Sequence, residues 1–297
     1  MILHISGNPG SGKTTLMKFL SQHERTRQEL QAWAGTDTLI CCVFYFWKPG
    51  SRMHMQRTLT GLYRSLLFQA LSQCPELTEE VFPVQFRMMK ASIGDMMVEK
   101  IQSFDEGHIE EAFKFFMSRV SSCGYRLCLF IEGLDECKGN RLQHEDLANM
   151  LQAWVTRGAI KMCVSSRPYS EFLQPLNLPG NRMIQLHEVN KSDITAYCVN
   201  RLKDDIYAQK RSDLCRRLVP IVVHQAQGVF LWAHLVIDVL LVGFRQSDPD
   251  SVLKDKTRSI TPRPRQAIHE AEGADRDGQH PGSQVKSYST TCGVQPL

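Results

Sequence analysis

No apolar stretch in this chain is long enough to cross a membrane. The most apolar one, Val229–Val242, covers fourteen residues and is interrupted by His234 and Asp238, whereas a spanning helix needs ~20. Charge of one sign is also scarce. Lys and Arg number 35 against 31 Asp and Glu, a net charge of +4, and the basic residues are scattered rather than striped. That balance speaks against nucleic acid as a partner, as does the lack of a zinc or helix-turn-helix signature. Ten cysteines are present but none forms a Cys-x-x-Cys pair, so no metal cluster is expected. Cys41, Cys128 and Cys163 fall in apolar runs and read as small hydrophobes in a reducing cytosol. There is no internal repeat.

What the chain does have is concentrated near its start. Residues 7–15 read Gly7-Asn8-Pro9-Gly10-Ser11-Gly12-Lys13-Thr14-Thr15, a complete Gly-x-x-x-x-Gly-Lys-Thr phosphate-binding loop. Its glycines let successive backbone N–H groups face a bound phosphate; Lys13 would reach the β/γ-phosphates and the Thr14 hydroxyl would ligate Mg²⁺. Ile2–Ile5 is a short apolar strand entering the loop. Leu16–Leu20 continues as an apolar-periodic helix whose N-terminal partial charge favours the phosphates. The expected ligand is a nucleoside triphosphate.

A second carboxylate-bearing strand is needed to hold the metal. Arg126–Ile131 is a continuous apolar run, as in a strand buried on both faces of a parallel sheet, and it ends in Glu132-Gly133-Leu134-Asp135-Glu136. Open α/β sheets bind ligands at the carboxyl ends of their strands. Glu132 is therefore expected in the Mg²⁺ shell through water, with Asp135 or Glu136 orienting or deprotonating the attacking water. A third strand, Lys161–Ser166, ends in Arg167-Pro168, and the Arg167 guanidinium could contact the γ-phosphate.

The rest of the chain alternates. Thr38–Trp47 reads as a strand with aromatics packed at its end. Leu59, Leu62, Tyr63, Leu66, Leu67, Ala70 and Leu71 recur at helical spacing, and Ile109, Ala112, Phe113, Phe116, Met117 and Val120 repeat the pattern. Strands alternating with helices imply an α/β doubly wound parallel sheet. From Ser192 onward only helical periodicity is visible, which points to a small helical domain. His234 and Asp238, four apart, read as a local side-chain pair. Residues 245–297 hold one aromatic, five prolines and four glycines, a composition expected to stay disordered. The expected organisation is a nucleotide-binding domain over residues 1–187, a helical subdomain over 188–244 and a disordered tail over 245–297.

One motif points elsewhere. Asn190-Lys191-Ser192-Asp193 matches the guanine-specificity signature of GTPases. Asp135-Glu136-Cys137-Lys138, however, does not supply the Asp-x-x-Gly that would accompany it. The competing reading is a helix start, with Asn190 or Ser192 as N-cap, and ATP as the nucleotide.

Gly7–Thr15, Leu127–Glu136 and Val164–Pro168 together resemble the Walker A, Walker B and sensor motifs of the NACHT (STAND) class of signal-transducing P-loop NTPases. More narrowly, the chain resembles fungal NLR-like proteins and nephrocystin-three-like N-terminal domains. Phe44-Tyr45-Phe46-Trp47-x-x-Gly50, Leu62–Leu71, Pro83 and Gly228–Ala233 fall where that group has similar segments. Glu132 stands where the group usually has Asp, and Phe230 where many members place a proline against the adenine. The resemblance implies an ATP/ADP- and Mg²⁺-dependent switch that hydrolyses slowly and self-associates through its ATPase domain. Two alternatives stay open, a nucleotide-binding scaffold without turnover and an ordinary turnover NTPase. Only six residues precede the loop and no effector, winged-helix or repeat element is recognisable. The expectation is therefore a cytoplasmic ATPase portion of a larger receptor, cut at both sides.

Overall fold

The computed structural model describes residues 1–46, 54–91, 105–156 and 158–259. Trp47 and Gly50, part of the expected aromatic strand end, lie outside them, as do residues 260–297.

Five strands form one parallel sheet: β1 (Ile2–Ser6), β2 (Thr38–Tyr45), β3 (Tyr125–Glu132), β4 (Ile160–Ser166) and β5 (Arg182–Gln185), in the spatial order β2-β3-β4-β1-β5. The expected doubly wound sheet is thus present, with strand bounds within a few residues of those read from the apolar runs. β4 lies between β1 and β3, pairing Ser6 with Ser166 and Ile131 with Val164. The ends of β1, β4 and β3 are therefore neighbours, which brings residues 7, 132 and 167 to one edge of the sheet.

Both faces are covered, as a parallel sheet requires. Successive side chains of β3 alternate. Leu127, Leu129 and Ile131 join one core with α3 (Leu59–Gln73), α6 (Glu106–Arg119), α7 (Arg141–Val155) and α8 (Ser170–Leu176). Cys128 and Phe130 join the other, under α1 (Lys13–Gln22) and α2 (Glu24–Ala34). The buried rows on α3 and α6 follow their spacing, Leu62, Tyr63, Leu66, Leu67 and Ala70 against Ile109, Ala112, Phe113, Phe116 and Met117, except that Leu59 at the first turn of α3 is exposed and Leu71 only partly buried. Phe113 stacks on Tyr63 with centroids 4.7 Å apart. Each such fully buried large side chain is worth ~1.5–3 kcal/mol. Two short helices, α4 (Thr78–Val81) and α5 (Pro83–Ala91), complete this side. Phe44 and Phe46 are buried in this core and meet edge-on at 4.9 Å, so these two aromatics are packing residues.

The remaining helices form a bundle: α9 (Leu186–Lys203), α10 (Ile206–Gln209), α11 (Ser212–Ala226), α12 (Phe230–Arg245) and α13 (Asp250–Ser259). Two expectations need correction here. The helix does not start at Asn190 or Ser192 but at Leu186, directly after β5, so the apolar stretch Met183–Val189 is part strand and part first helical turn. Leu186 packs with the sheet core whereas Ile194, Cys198 and Leu202 pack in the bundle, so the passage from sheet to bundle occurs within α9. The disorder expected from residue 245 does not begin there either. In α13, Leu253 and Thr257 are buried, and Lys256 pairs with Asp248 at 2.6 Å. A single leucine and a few ion pairs were enough to anchor a segment of low apolar content. The expected His234–Asp238 pair is present at 3.5 Å.

Candidate nucleotide site

The loop between β1 and α1 takes its shape from its glycines. Gly12, at φ 95°, is the residue before α1, a left-handed backbone that costs a side chain about 1 kcal/mol or more. The Ser11 amide donates to the Asn8 carbonyl at 3.1 Å. Lys13 folds back over the loop, its Nζ donating to the Gly7 carbonyl at 2.7 Å and the Asn8 carbonyl at 3.2 Å. Burial lowers the Lys13 pKa, opposed by Asp135, Glu132 and Glu136 while Arg167 reinforces it. The four charged residues singled out in the sequence therefore all act on this one ammonium.

Their arrangement is specific. The Thr14 hydroxyl donates to Glu132 Oε1. Burial raises the Glu132 pKa, while the Thr14 bond and Lys13 hold it down. Beyond Glu132, Gly133 turns the chain into a single 3₁₀ turn, Leu134–Glu136, and its amide donates to Ser165 Oγ at 3.2 Å. Asp135, 5% exposed, clamps Arg167 twice, accepting from its backbone N–H at 2.9 Å and facing its Nε at 3.0 Å. The Glu136 carbonyl accepts from Arg57 Nε at 3.3 Å. Arg57 carries no motif and could not have been found from the sequence.

The other side of the loop touches the bundle. The Leu231 amide, at the start of α12, donates to the Gly10 carbonyl at 3.0 Å. Asn190, 6% exposed, donates from Nδ2 to the Ser11 carbonyl at 2.7 Å and the Gly228 carbonyl at 3.0 Å. Gly228 has φ 76°, and a Cβ there would stand 2.3 Å from the backbone of His187 on α9. Asn190 thus joins the Gly7–Thr15 loop, α9 and the α11–α12 turn. Its amide is committed to two backbone carbonyls, as a buried amide must be. A cavity of about 900 Å³ opens between Gly10–Thr15 and the bundle, walled by Asp193, Tyr197, Phe230 and His234. The Tyr197 hydroxyl lies 2.6 Å from His234 Nδ1, and its ring is 5.3 Å from Phe230. Among these, Tyr197 and His234 had no sequence signal beyond helical spacing.

A five-stranded parallel sheet whose first strand opens through a Gly-rich loop onto a helix, with acidic residues at the end of a nearby strand, defines the P-loop NTPase fold. Residues 1–167 match the nephrocystin 3, N-terminal family, and the chain belongs to that family. No curated protein matches. Among solved structures it is similar to a Walker-type ATPase of Pyrococcus abyssi, at 11% identity and TM-score 0.44, over 93% of this chain and 71% of that one. The Aeropyrum pernix ORC1 protein in complex with DNA is similar at 10% identity and TM-score 0.38, over 92% and 61%. Drosophila ORC bound to DNA is similar at 12% identity and TM-score 0.38, over 91% and 62%. The chain thus spans under two thirds of the length of these last two.

Proposed function

We propose that this chain binds Mg·ATP at the Gly7–Thr15 loop and hydrolyses it slowly, as the nucleotide switch of a NACHT-class, NLR-like signalling protein acting in the cytoplasm. One observation carries the reading: the loop that would cradle phosphates is bonded on one side, through Thr14, to Glu132 at the end of β3, and on the other, through Gly10 and Ser11, to the helical bundle. A ligand that reshapes the loop must load or release the bonds that hold the bundle. The roles follow from position. Gly7, Asn8, Pro9, Gly10, Ser11, Gly12 and Thr15 form the cradle. Lys13 exchanges the Gly7 and Asn8 carbonyls for phosphate oxygens.

A hydroxyl and a carboxylate already in contact are a fitting donor set for a hard cation, so Thr14 and Glu132 are the residues that would hold Mg²⁺. The ion supplies positive charge against the charge that develops on the phosphoryl oxygens. Asp135 fixes Arg167 and is read as its positioning residue, which leaves Glu136 to orient the water. ATP is favoured over GTP because Asn190 spends its amide on Ser11 and Gly228 rather than presenting it to a base. Self-association through this domain belongs to the same reading. A scaffold without turnover is the second reading, favoured by Glu132, whose carboxylate sits one methylene further out than the usual Asp.

Calorimetric titration of Mg·ATP and Mg·GTP, with single-turnover phosphate release, tests these assignments. The expected result is ATP preference, slow release well below the ~10 s⁻¹ median of enzymes, and no binding in Lys13→Ala. Unchanged affinity in that variant would remove the phosphate-loop assignment. Hydrolysis at tens per second would favour a turnover ATPase, and binding without any release the scaffold.

A further inference from the structure

Away from the phosphate loop, two cysteines meet across the sheet. Cys41 on β2 and Cys128 on β3 are register partners in a parallel pair. Partners in parallel strands point to the same face, and both lie in the layer beneath α1 and α2. Neighbouring strands stand about 4.8 Å apart, inside the roughly 4.4–6.8 Å span of Cα atoms that a disulfide bridges. Cys128 is 3% exposed, whereas Cys41 is only partly buried on the edge strand.

The two thiols are also unequal. The neighbouring Cys128 thiol lowers the Cys41 pKa against the opposing effect of burial, with Arg27 of α2 adding to the lowering. Cys128 itself is pushed up, by the Cys41 thiol and by burial. Cys42 and Cys163, by contrast, are buried thiols raised to about 12. A partly accessible thiol beside a cation and a second thiol is the environment in which cysteines react.

We infer that Cys41 and Cys128 form a peroxide-sensitive pair, Cys41 the attacking thiol and Cys128 the resolving one, that closes reversibly to an intramolecular disulfide. The Cys41 thiolate attacks one oxygen of hydrogen peroxide; the S–O bond forms, the O–O bond breaks and hydroxide leaves. Cys128 then gives its proton to that hydroxide, and its sulfur attacks the Cys41 sulfenic acid. The S–S bond forms and the S–O bond breaks, with the second oxygen released as hydroxide that a solvent proton converts to water. Two thiols are oxidised by two electrons in all and one peroxide is reduced to two waters. This inference is independent of the nucleotide reading.

The test uses the full chain, reduced, desalted and treated with hydrogen peroxide, then denatured in the presence of N-ethylmaleimide so that buried thiols are also blocked, digested and sequenced by mass spectrometry. A peptide linking Cys41 to Cys128 should appear and vanish on adding dithiothreitol. In Cys128→Ala the reaction should stop at a Cys41 sulfenic acid that dimedone labels, and in Cys41→Ser both products should be lost while Cys128 stays alkylatable. Three results would each overturn the proposal. Both thiols could remain alkylatable after peroxide, dimedone could label a different cysteine, or Cys41 could link chiefly to Cys42 or to a second chain. The wild-type linkage map decides the question even where a variant does not fold.

Discussion

Replacing Asn190 by alanine tests how the loop and the bundle are joined. The substitution removes two hydrogen bonds, of 2.7 and 3.0 Å, and strands the Ser11 and Gly228 carbonyls in a buried position. A buried polar group left unpaired costs about 1–3 kcal/mol, so two cost about 2–6. Alanine's better helix propensity inside α9 returns about 0.5 kcal/mol, and water entering the gap would offset part of the remainder. The expected loss is about 2–4 kcal/mol, read as a lower urea midpoint by circular dichroism at an unchanged slope. Asn190→Asp should be worse than alanine, because it sets a carboxylate against two carbonyls. Asp193→Ala, an exposed position on the same helix, should change stability by under about 1 kcal/mol. None of the three should alter the ATP-over-GTP preference. An Asn190→Ala protein as stable as the parent would refute the latch, and one whose base preference switches would return the residue to the guanine-reading role its motif suggests.

The buried His4 makes stability depend on pH. Burial lowers its pKa from 6.5 to about 4, and its Nε2 lies 2.9 Å from Ser166 Oγ. The unfolded chain therefore binds this proton first. The stabilisation is complete above about pH 6.5 and is lost as pH falls toward 4, by about 3 kcal/mol in all. Urea titrations at pH 7 and pH 4.5 should show that loss in the parent and a flatter dependence in His4→Gln; equal slopes would contradict it. Gly228→Ala forces both a strained φ and a clash with the His187 backbone. It should cost more than the ~1 kcal/mol of a left-handed alanine, measured by thermal unfolding, and an unchanged midpoint would count against the close packing. For the chemistry, Glu132→Asp should raise the rate of phosphate release and Glu136→Gln should abolish it while sparing calorimetric binding. Release from Glu136→Gln at the parent rate would move the water-orienting role elsewhere.

The sheet and its loop were legible in the sequence for local reasons. A phosphate loop needs its glycines and lysine in unbroken order, and a strand buried on two faces announces itself as an uninterrupted apolar run, as Leu127–Ile131 does. Helical spacing likewise identified the buried rows of α3 and α6 before any partner was known. The helix Asp250–Ser259 was not legible, because composition does not reveal that one leucine, Leu253, finds a pocket in the bundle.

Tertiary structure decided what local pattern leaves undetermined. Asn190 had a capping residue's identity and a GTPase motif's neighbours, yet it lies a full turn inside a helix, and its role comes from two carbonyls at sequence distances of 179 and 38 residues. Asp135 and Glu136 were equivalent as adjacent acids on a turn. Only the insertion of β4 between β1 and β3 put Arg167 against Asp135 and so distinguished them. The Cys41–Cys128 register was equally invisible, since nothing in two apolar strands says which residues will face each other. Covalent order sets the backbone's local choices, whereas hydrogen bonds and charges between distant segments take their values only once burial has removed water from around them.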